Sequence, residues 1–500
     1  MADIRRENPL RLSFVFLLAL VSAQGAPATT FMVTNLGDAG PGSLRRAVLD
    51  ANAAPGADAV AFAPGLTGTI PLSSGEIPIK DSLTINGPGA AVLTVSGNDL
   101  SRIFHVENTA AAAPIDVTLS GLTLTRGSAV AGVTAGGAIL ADRENLTILD
   151  SVISDSTSGF QADPPAEGCG GNVAFFASNG ETLRIADSTL TGGRTLSISS
   201  TFGGNLCVSN GKLLLERSNL TNGDADYGGG LLVQSLAAGS VISQSTIAGN
   251  QASVYGGGIA SLDGAVLSIE SSTISGNTAG SHGPFYSAFG GGIYLSQTEG
   301  VQIVNCTISD NHADGSGGGI HTTGGSLLVR LTTIANNTAG FKGGSLLISP
   351  ATEARLDHAI VADGAPQDLA TEPIGASATL AADYSLIEAP GSGDVQLTGN
   401  HNRLGIDPLL GPLAPNGGRT LTRRPLSGSP VINAGDPAIP SPPATDQRGA
   451  ARIVGAAVDL GSVETGQAVV EVPTLSQVGL LLLAAGLLAA GLRRVRTLFV

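Results

Sequence analysis

Residues 255–280 contain the runs Tyr255-Gly256-Gly257-Gly258-Ile259, Ala265-Val266-Leu267-Ser268-Ile269 and Ser272-Thr273-Ile274-Ser275-Gly276-Asn277-Thr278-Ala279. Aliphatic residues alternate with small or polar ones over three to five positions, and Gly or Asn closes each run. A period of two over such short windows signals strands, and no window holds an amphipathic helix.

The same unit recurs along the chain. A Gly-rich step into an aliphatic residue appears at Ile139, Val173, Leu206, Leu231, Ile259, Ile293, Ile320 and Leu346, with spacings of 34, 33, 25, 28, 34, 27 and 26. A second column, aliphatic after Ser, Thr or Asn, runs through Leu190, Leu220, Ile247, Ile274, Ile308 and Ile334. Both columns give a unit of 26–28 residues with occasional insertions. Two or three short strands per unit, stacked on the next unit at ~4.8 Å, bury their inward aliphatics as one continuous column. The predicted fold class is all-β, a single-stranded right-handed parallel β-helix solenoid.

The turns agree. Asn250, Asn277, Asn311 and Asn337 each follow the second column by three residues. Asn tolerates left-handed backbone, and its amide can bond to the amide of the next rung. The Gly triplets 228–230, 256–258, 290–292 and 317–319 supply freedom at the next corner. These columns therefore have structural explanations.

Composition narrows the classes. Of 500 residues 70 are Gly, only 13% are charged, 4% are aromatic, and Trp is absent. No strict three-residue Gly period exists, so collagen is excluded, and 42% hydrophobic residues argue against disorder. A net charge of −15 argues against nucleic acid as a partner, because phosphate contacts need a basic face. Three cysteines cannot make a disulfide framework. Cys169 and Cys207 read as about five positions out of register on neighbouring units, about 16 Å along a strand, so Cys169, Cys207 and Cys306 are all expected unpaired.

The ends carry export signals. Arg5, Arg6 and Arg11 precede an apolar run, and small residues follow from Ser22 to Ala26, the order of a secretory signal peptide. At the other end, Val472-Pro473-Thr474-Leu475 leads into an apolar run to Leu492 and then Arg493, Arg494 and Arg496. With its flanks that run approaches the ~20 residues of a transmembrane helix, with the arginines cytoplasmic.

Several of these stretches resemble known families. The Pro473-Thr474-Leu475 motif, apolar helix and basic tail resemble the IPTL-CTERM protein-sorting signal, with Val472 and Val478 where that family has Ile and Trp. The resemblance implies recognition by an exosortase-type processing enzyme. Gly136-Gly137-Ala138-Ile139 and its later copies resemble the repeats of chlamydial polymorphic outer-membrane proteins, which implies a surface β-helix with an adhesive role. Gly42-Ser43-Leu44-Arg45-Arg46-Ala47-Val48 resembles the CSLREA-type N-terminal region, and Ser43 reads as the N-cap of a short helix. Asp407-Pro408-Leu409-Leu410, Gly428-Ser429-Pro430-Val431-Ile432 and Asp446-Gln447-Arg448-Gly449 resemble the choice-of-anchor Q domain. The expected organisation is a signal peptide (1–25), an N-terminal cap with a short helix (26–66), β-helix repeats (67–400), a choice-of-anchor Q-like C-terminal cap (401–466) and a sorting signal with transmembrane helix and basic tail (467–500). Such caps protect the open ends of solenoids.

Chemistry is sparse. Many parallel β-helices of the pectin-lyase-like fold cleave polysaccharides, but the polygalacturonase elements do not occur here. Only three lysines exist. Asp224 and Asp226 could pair as carboxylates across a groove, although an Asn-Gly-Asp turn explains them. His282, His312 and His321, with Asp310 and Asp314, form the densest polar set, but their offsets within the unit differ. No catalytic, cofactor or metal residue is assigned.

One column stands out, the residue before each Gly step: Ala135, Cys169, Phe202, Tyr227, Tyr255, Phe289, Ser316 and Lys342. Four consecutive units place an aromatic there in a chain poor in aromatics. Phe202, Tyr227, Tyr255 and Phe289 are either a ladder that stiffens one corner or a ligand strip for sugar rings or a partner protein. The leading reading is an exported, cell-surface-anchored β-helix acting as an adhesin-like or structural binding module of the bacterial envelope. It would pass through an inner-membrane-anchored intermediate, with a glycan or a host or neighbouring-cell surface as ligand. The alternative is a polysaccharide-active lyase or hydrolase of the pectin-lyase-like fold.

Overall fold

A computed structural model of the protein describes residues 28–466, apart from 109–112, 130–134, 160–167, 179, 197–199, 281–287 and 392. The signal-peptide and sorting-signal readings, with Val472, Pro473, Thr474, Leu475 and the transmembrane helix, lie outside the described residues. Among the described residues no helix is long and apolar enough to cross a membrane.

Most central turns of the solenoid contribute four strands. In the unit quoted above they are Ile259–Leu262, Val266–Glu270, Thr273–Ser275 and Thr278–Ala279, and these define faces 1 to 4 in chain order. The two-residue strand of face 4 is the one that alternation could not reveal, being too short to alternate. Successive rungs pair in parallel, as Ile259↔Ile293, Ile269↔Ile303, Ile274↔Ile308 and Thr278↔His312 show. The faces grow to 11, 14, 13 and 10 strands respectively.

The inward side chains form a single apolar column. Ile153, Leu190, Leu220, Ile247, Ile274, Ile308 and Ile334 lie in register on face 3, all fully buried. Burying each such side chain contributes about 1.5–3 kcal/mol, so most of the stability comes from stacking. The Gly step sets the corner between faces 4 and 1. Gly256 has φ +67°, and a Cβ on Gly257 would meet the Gly291 carbonyl oxygen at 2.5 Å.

An interior amide ladder lines the same corner. Asn250 Nδ2 donates to Asn277 Oδ1, Asn277 to Asn311 and Asn311 to Asn337, each at 2.9 Å. The ladder continues upstream through Asn205 and Asn172, which come from a different turn. Asn172 and Asn205 sit directly before the face 1 aliphatic, where later rungs have the third Gly of a triplet. The facing turns there hold Gly193 and Gly223, where later rungs have Asn250 or Asn277. A Cβ on Gly223 would come within 2.1 Å of the Gly229 carbonyl oxygen and 2.6 Å of the Asn205 amide. Each of these rungs carries one amide, from one turn or the other.

At the N-terminal end the helix Leu44–Ala51 is capped by the Ser43 side chain, which accepts from Arg46 N, and it buries Leu44, Ala47, Val48 and Ala51. The C-terminal segment departs from the expected end cap. After the last face 3 strand, Arg403–Leu404, the chain turns back and lies along the outside of face 3 as a strap. Its one hairpin, Leu410–Ala414 with Thr422–Pro425, is antiparallel. Gln447, buried, accepts from Thr307 Oγ1 at 2.6 Å and donates to Ser272 O and Thr273 Oγ1. Arg423 donates to Ser309 and Asp310, and Arg419 reaches Asp187 and Arg217 O. The Asp446-Gln447-Arg448-Gly449 stretch thus docks the strap: Asp446 and Arg448 pair with each other while Gln447 reads the solenoid.

Candidate functional site: an aromatic crease

The residue before each Gly step belongs to the end of face 4, and the second residue of each face 1 strand points outward. Because the Gly corner turns the chain sharply, these two columns meet in a crease on the outside of the solenoid. Ala135, Cys169, Leu140, Ala174, Cys207 and Ala260 pack together there, with Phe202 and Tyr227 against them. The small residues of face 1 leave room for the rings.

The rings follow the register of the backbone. Cys169↔Phe202, Phe202↔Tyr227 and Tyr227↔Tyr255 pair in parallel, and Tyr255↔Phe289 and Ser316↔Lys342 are bridged. Ring centroids are 5.1 Å apart from Phe202 to Tyr227, 5.3 Å from Tyr227 to Tyr255 and 5.8 Å from Tyr255 to Phe289. All four residues are half-buried. They form one continuous row.

A second row, which the sequence reading missed, comes from face 1. Tyr294 stacks on Tyr255 at 4.3 Å and 6°, and His321 meets Phe289 and Tyr294 edge-on at 4.9 and 5.4 Å. The available signal was position: Tyr294 and His321 occupy a column that holds Ala174, Cys207, Leu232 and Ala260 in earlier units. Burial raises the Tyr227 pKa, with the neighbouring Tyr255 and Asp226 adding to the shift. Burial likewise raises Tyr294, whose hydroxyl bonds with Thr323 and Ser296 lower it in part. Burial lowers His321 to about 4, partly offset by a hydrogen bond with the Ser316 backbone. The row ends in polar groups: Ser316 Oγ donates to Glu372 at 2.5 Å, and Lys342 lies 3.7 Å from Asp394.

The expectation of three unpaired cysteines is overturned at the other end of the crease. Cys169 and Cys207 form a disulfide with Cα atoms 5.7 Å apart. Five positions of offset were measured along a straight strand, but Gly170, at φ +66°, folds the intervening chain around the corner. The offset becomes the step across the crease. Cys306 is free and buried, and burial pushes its thiol up to about 12.

The other polar candidates disperse. Asp224 pairs with Arg194, while Asp226 accepts from Thr201 N and Ser253 Oγ, so both are engaged on one strand. His312 bonds Thr338 and Asp314, Asp310 takes Arg423 from the strap, His321 sits in the crease, and His282 lies outside the described residues. Among the described residues no group of three His, Cys, Asp or Glu is placed to hold a metal ion. Two clefts lie elsewhere. One, of about 470 Å³, lies outside face 2 at Glu353 and Arg355, and the other, of about 560 Å³, lies beside the N-terminal helix at Pro41 and Arg45.

With four parallel faces and the corner geometry in place, comparison with known families finds one similarity. Residues 173–352 match the family model described as right handed beta helix region. No curated protein matches the chain. The matched segment of the parallel β-helix contains all four aromatic residues of the row.

Proposed function

We propose that the protein is an exported, surface-displayed right-handed β-helix that binds glycans through the aromatic crease, an adhesin-like module without a catalytic role. The observation that carries this reading is the unbroken row Phe202, Tyr227, Tyr255 and Phe289, half-exposed on the outside of the solenoid rather than inside its apolar column. Rings that only stiffened a corner could be fully buried, whereas all four of these stay partly exposed. Sugar rings stack their C–H faces on such a surface, and a tyrosine keeps its hydroxyl in water.

Export is supported by the Cys169–Cys207 disulfide, since disulfides persist in oxidising compartments. Surface anchoring rests on the resemblance of residues 467–500 to a sorting signal read by an exosortase-type enzyme. A glycan array probed with the intact protein and with a Tyr227→Ala/Tyr255→Ala variant tests the binding reading. Array signal should vanish in the variant, while loss of the ring contacts costs only about 1–3 kcal/mol of stability. Undiminished glycan binding by the variant would remove the crease from consideration.

A further inference from the structure

The charge around the crease points to the class of glycan. Asp226 adjoins Tyr227 and is held by Thr201 N and Ser253. At the far end Glu372 accepts from Ser316 Oγ, and Asp394 lies beside Lys342. Lys342 is the one cation in the pre-glycine column, and it is already committed to Asp394 and to the Thr371 carbonyl oxygen at 3.4 Å. Lys342 and Asp394 offset each other, which leaves the carboxylates of Asp226 and Glu372 at the two ends of the row, in a chain whose net charge is −15. A uronate or sulfate brought onto Tyr227 would meet the adjacent Asp226 carboxylate, well inside the Debye length of about 8 Å at physiological salt. A neutral sugar meets no such barrier, and its hydroxyls are donors for carboxylate oxygens, the stronger kind of hydrogen bond.

We infer that the crease selects neutral oligosaccharides lying along the row of partly exposed rings, parallel to the solenoid axis, and discriminates against acidic ones. This rests on the glycan-binding reading above and adds to it the sign of the ligand. The row spans about 15 Å over three inter-strand steps, room for a short run of pyranose rings. The carboxylates act as acceptors for sugar hydroxyls and as a filter against anionic sugars.

Because the chain has no Trp, its tyrosines are the intrinsic fluorophores, and Tyr227, Tyr255 and Tyr294 lie in the crease. The full chain would be titrated by tyrosine emission with β-1,4-linked glucose, mannose, xylose and galactose hexamers, and with hexagalacturonate. The expected result is saturable binding of at least one neutral hexamer, lost in Tyr255→Ala. Hexagalacturonate should bind roughly ten-fold more weakly, the scale of one like-charge contact near the surface. That gap should shrink in the isosteric variants Asp226→Asn and Glu372→Gln, which remove charge but keep acceptors. Equal or tighter hexagalacturonate binding that still depends on Tyr255 would overturn the charge filter and leave the aromatic strip standing. Binding of no hexamer, or binding indifferent to Tyr255→Ala, would overturn both.

Discussion

Asn205 donates its side-chain amide to Asn250 Oδ1 at 3.1 Å across a sequence separation of 45, although the two residues come from different turns. The interior ladder changes source between these rungs without breaking. Asn205 also donates to Thr221 O, and its Oδ1 accepts from Gly193 N, so its removal orphans buried groups. Asn205→Gly should destabilise the protein by about 2–3 kcal/mol in urea unfolding. Adding Gly223→Asn should not recover that loss, because a Cβ at 223 meets the Gly229 carbonyl oxygen at 2.1 Å whichever residue stands at 205. It meets the Asn205 amide as well, at 2.6 Å, so the double variant should be less destabilised than the sum of the two single ones. Simple additivity in this cycle would show that the two turns do not share one site.

The disulfide and the buried thiol make a second prediction. Thiol titration of the native protein should find no reactive cysteine, because Cys169 is bonded to Cys207 and Cys306 is inaccessible. Unfolding without reductant should expose one thiol, and unfolding with reductant three. Cys207→Ser should cost about 2–4 kcal/mol of stability. Three reactive thiols in unreduced, unfolded protein would refute the bond.

His321 gives the crease a pH dependence. Its pKa is about 4 in the folded protein against an ordinary value of 6.5, because burial among rings disfavours the imidazolium. Below pH 6.5 the unfolded chain takes up a proton that the folded chain refuses. The stabilisation is therefore complete above about pH 6.5 and is lost as pH falls toward 4, by about 3 kcal/mol. His321→Phe keeps a ring against Phe289 and Tyr294 and removes the titration. Denaturant unfolding at pH 7 and pH 4.5 should show a stability drop in the wild type that exceeds the variant's by most of that amount. Equal drops would place the imidazole in contact with water.

The sequence displayed what repeats and hid what folds back. Ile247, Ile274 and Ile308 recur because every rung must fill the same interior position, so the columns, the Gly corners and four of the amides were legible. Asn172 and Asn205 were not, because the ladder changes turn, yet the reciprocal exchange of Asn and Gly with Gly193 and Gly223 was present in the text. The row Phe202, Tyr227, Tyr255 and Phe289 followed from register alone. The Cys169–Cys207 bond did not, because linear spacing cannot express a corner. The strap was invisible for another reason. Thr273, Thr307 and Thr333 beneath it are buried, whereas Thr189 and Thr246 in the same outward column are only half-buried. Identical residues in one column differ only by what tertiary docking lays over them.

That docking bears on how the chain can change in length over evolution. A stack held by neighbour contacts alone can gain or lose a unit without disturbing distant ones. Here Arg419 spans 232 residues to reach Asp187, Gln447 spans 175 to Ser272 and Ser462 spans 129 to Thr333. Duplicating or deleting any unit between Asp187 and Thr333 would throw these side chains one rung out of step with their partners. The belt works as a ruler: it fixes the number of turns beneath it, and leaves the units upstream of Asp187 as the place where this lineage can vary.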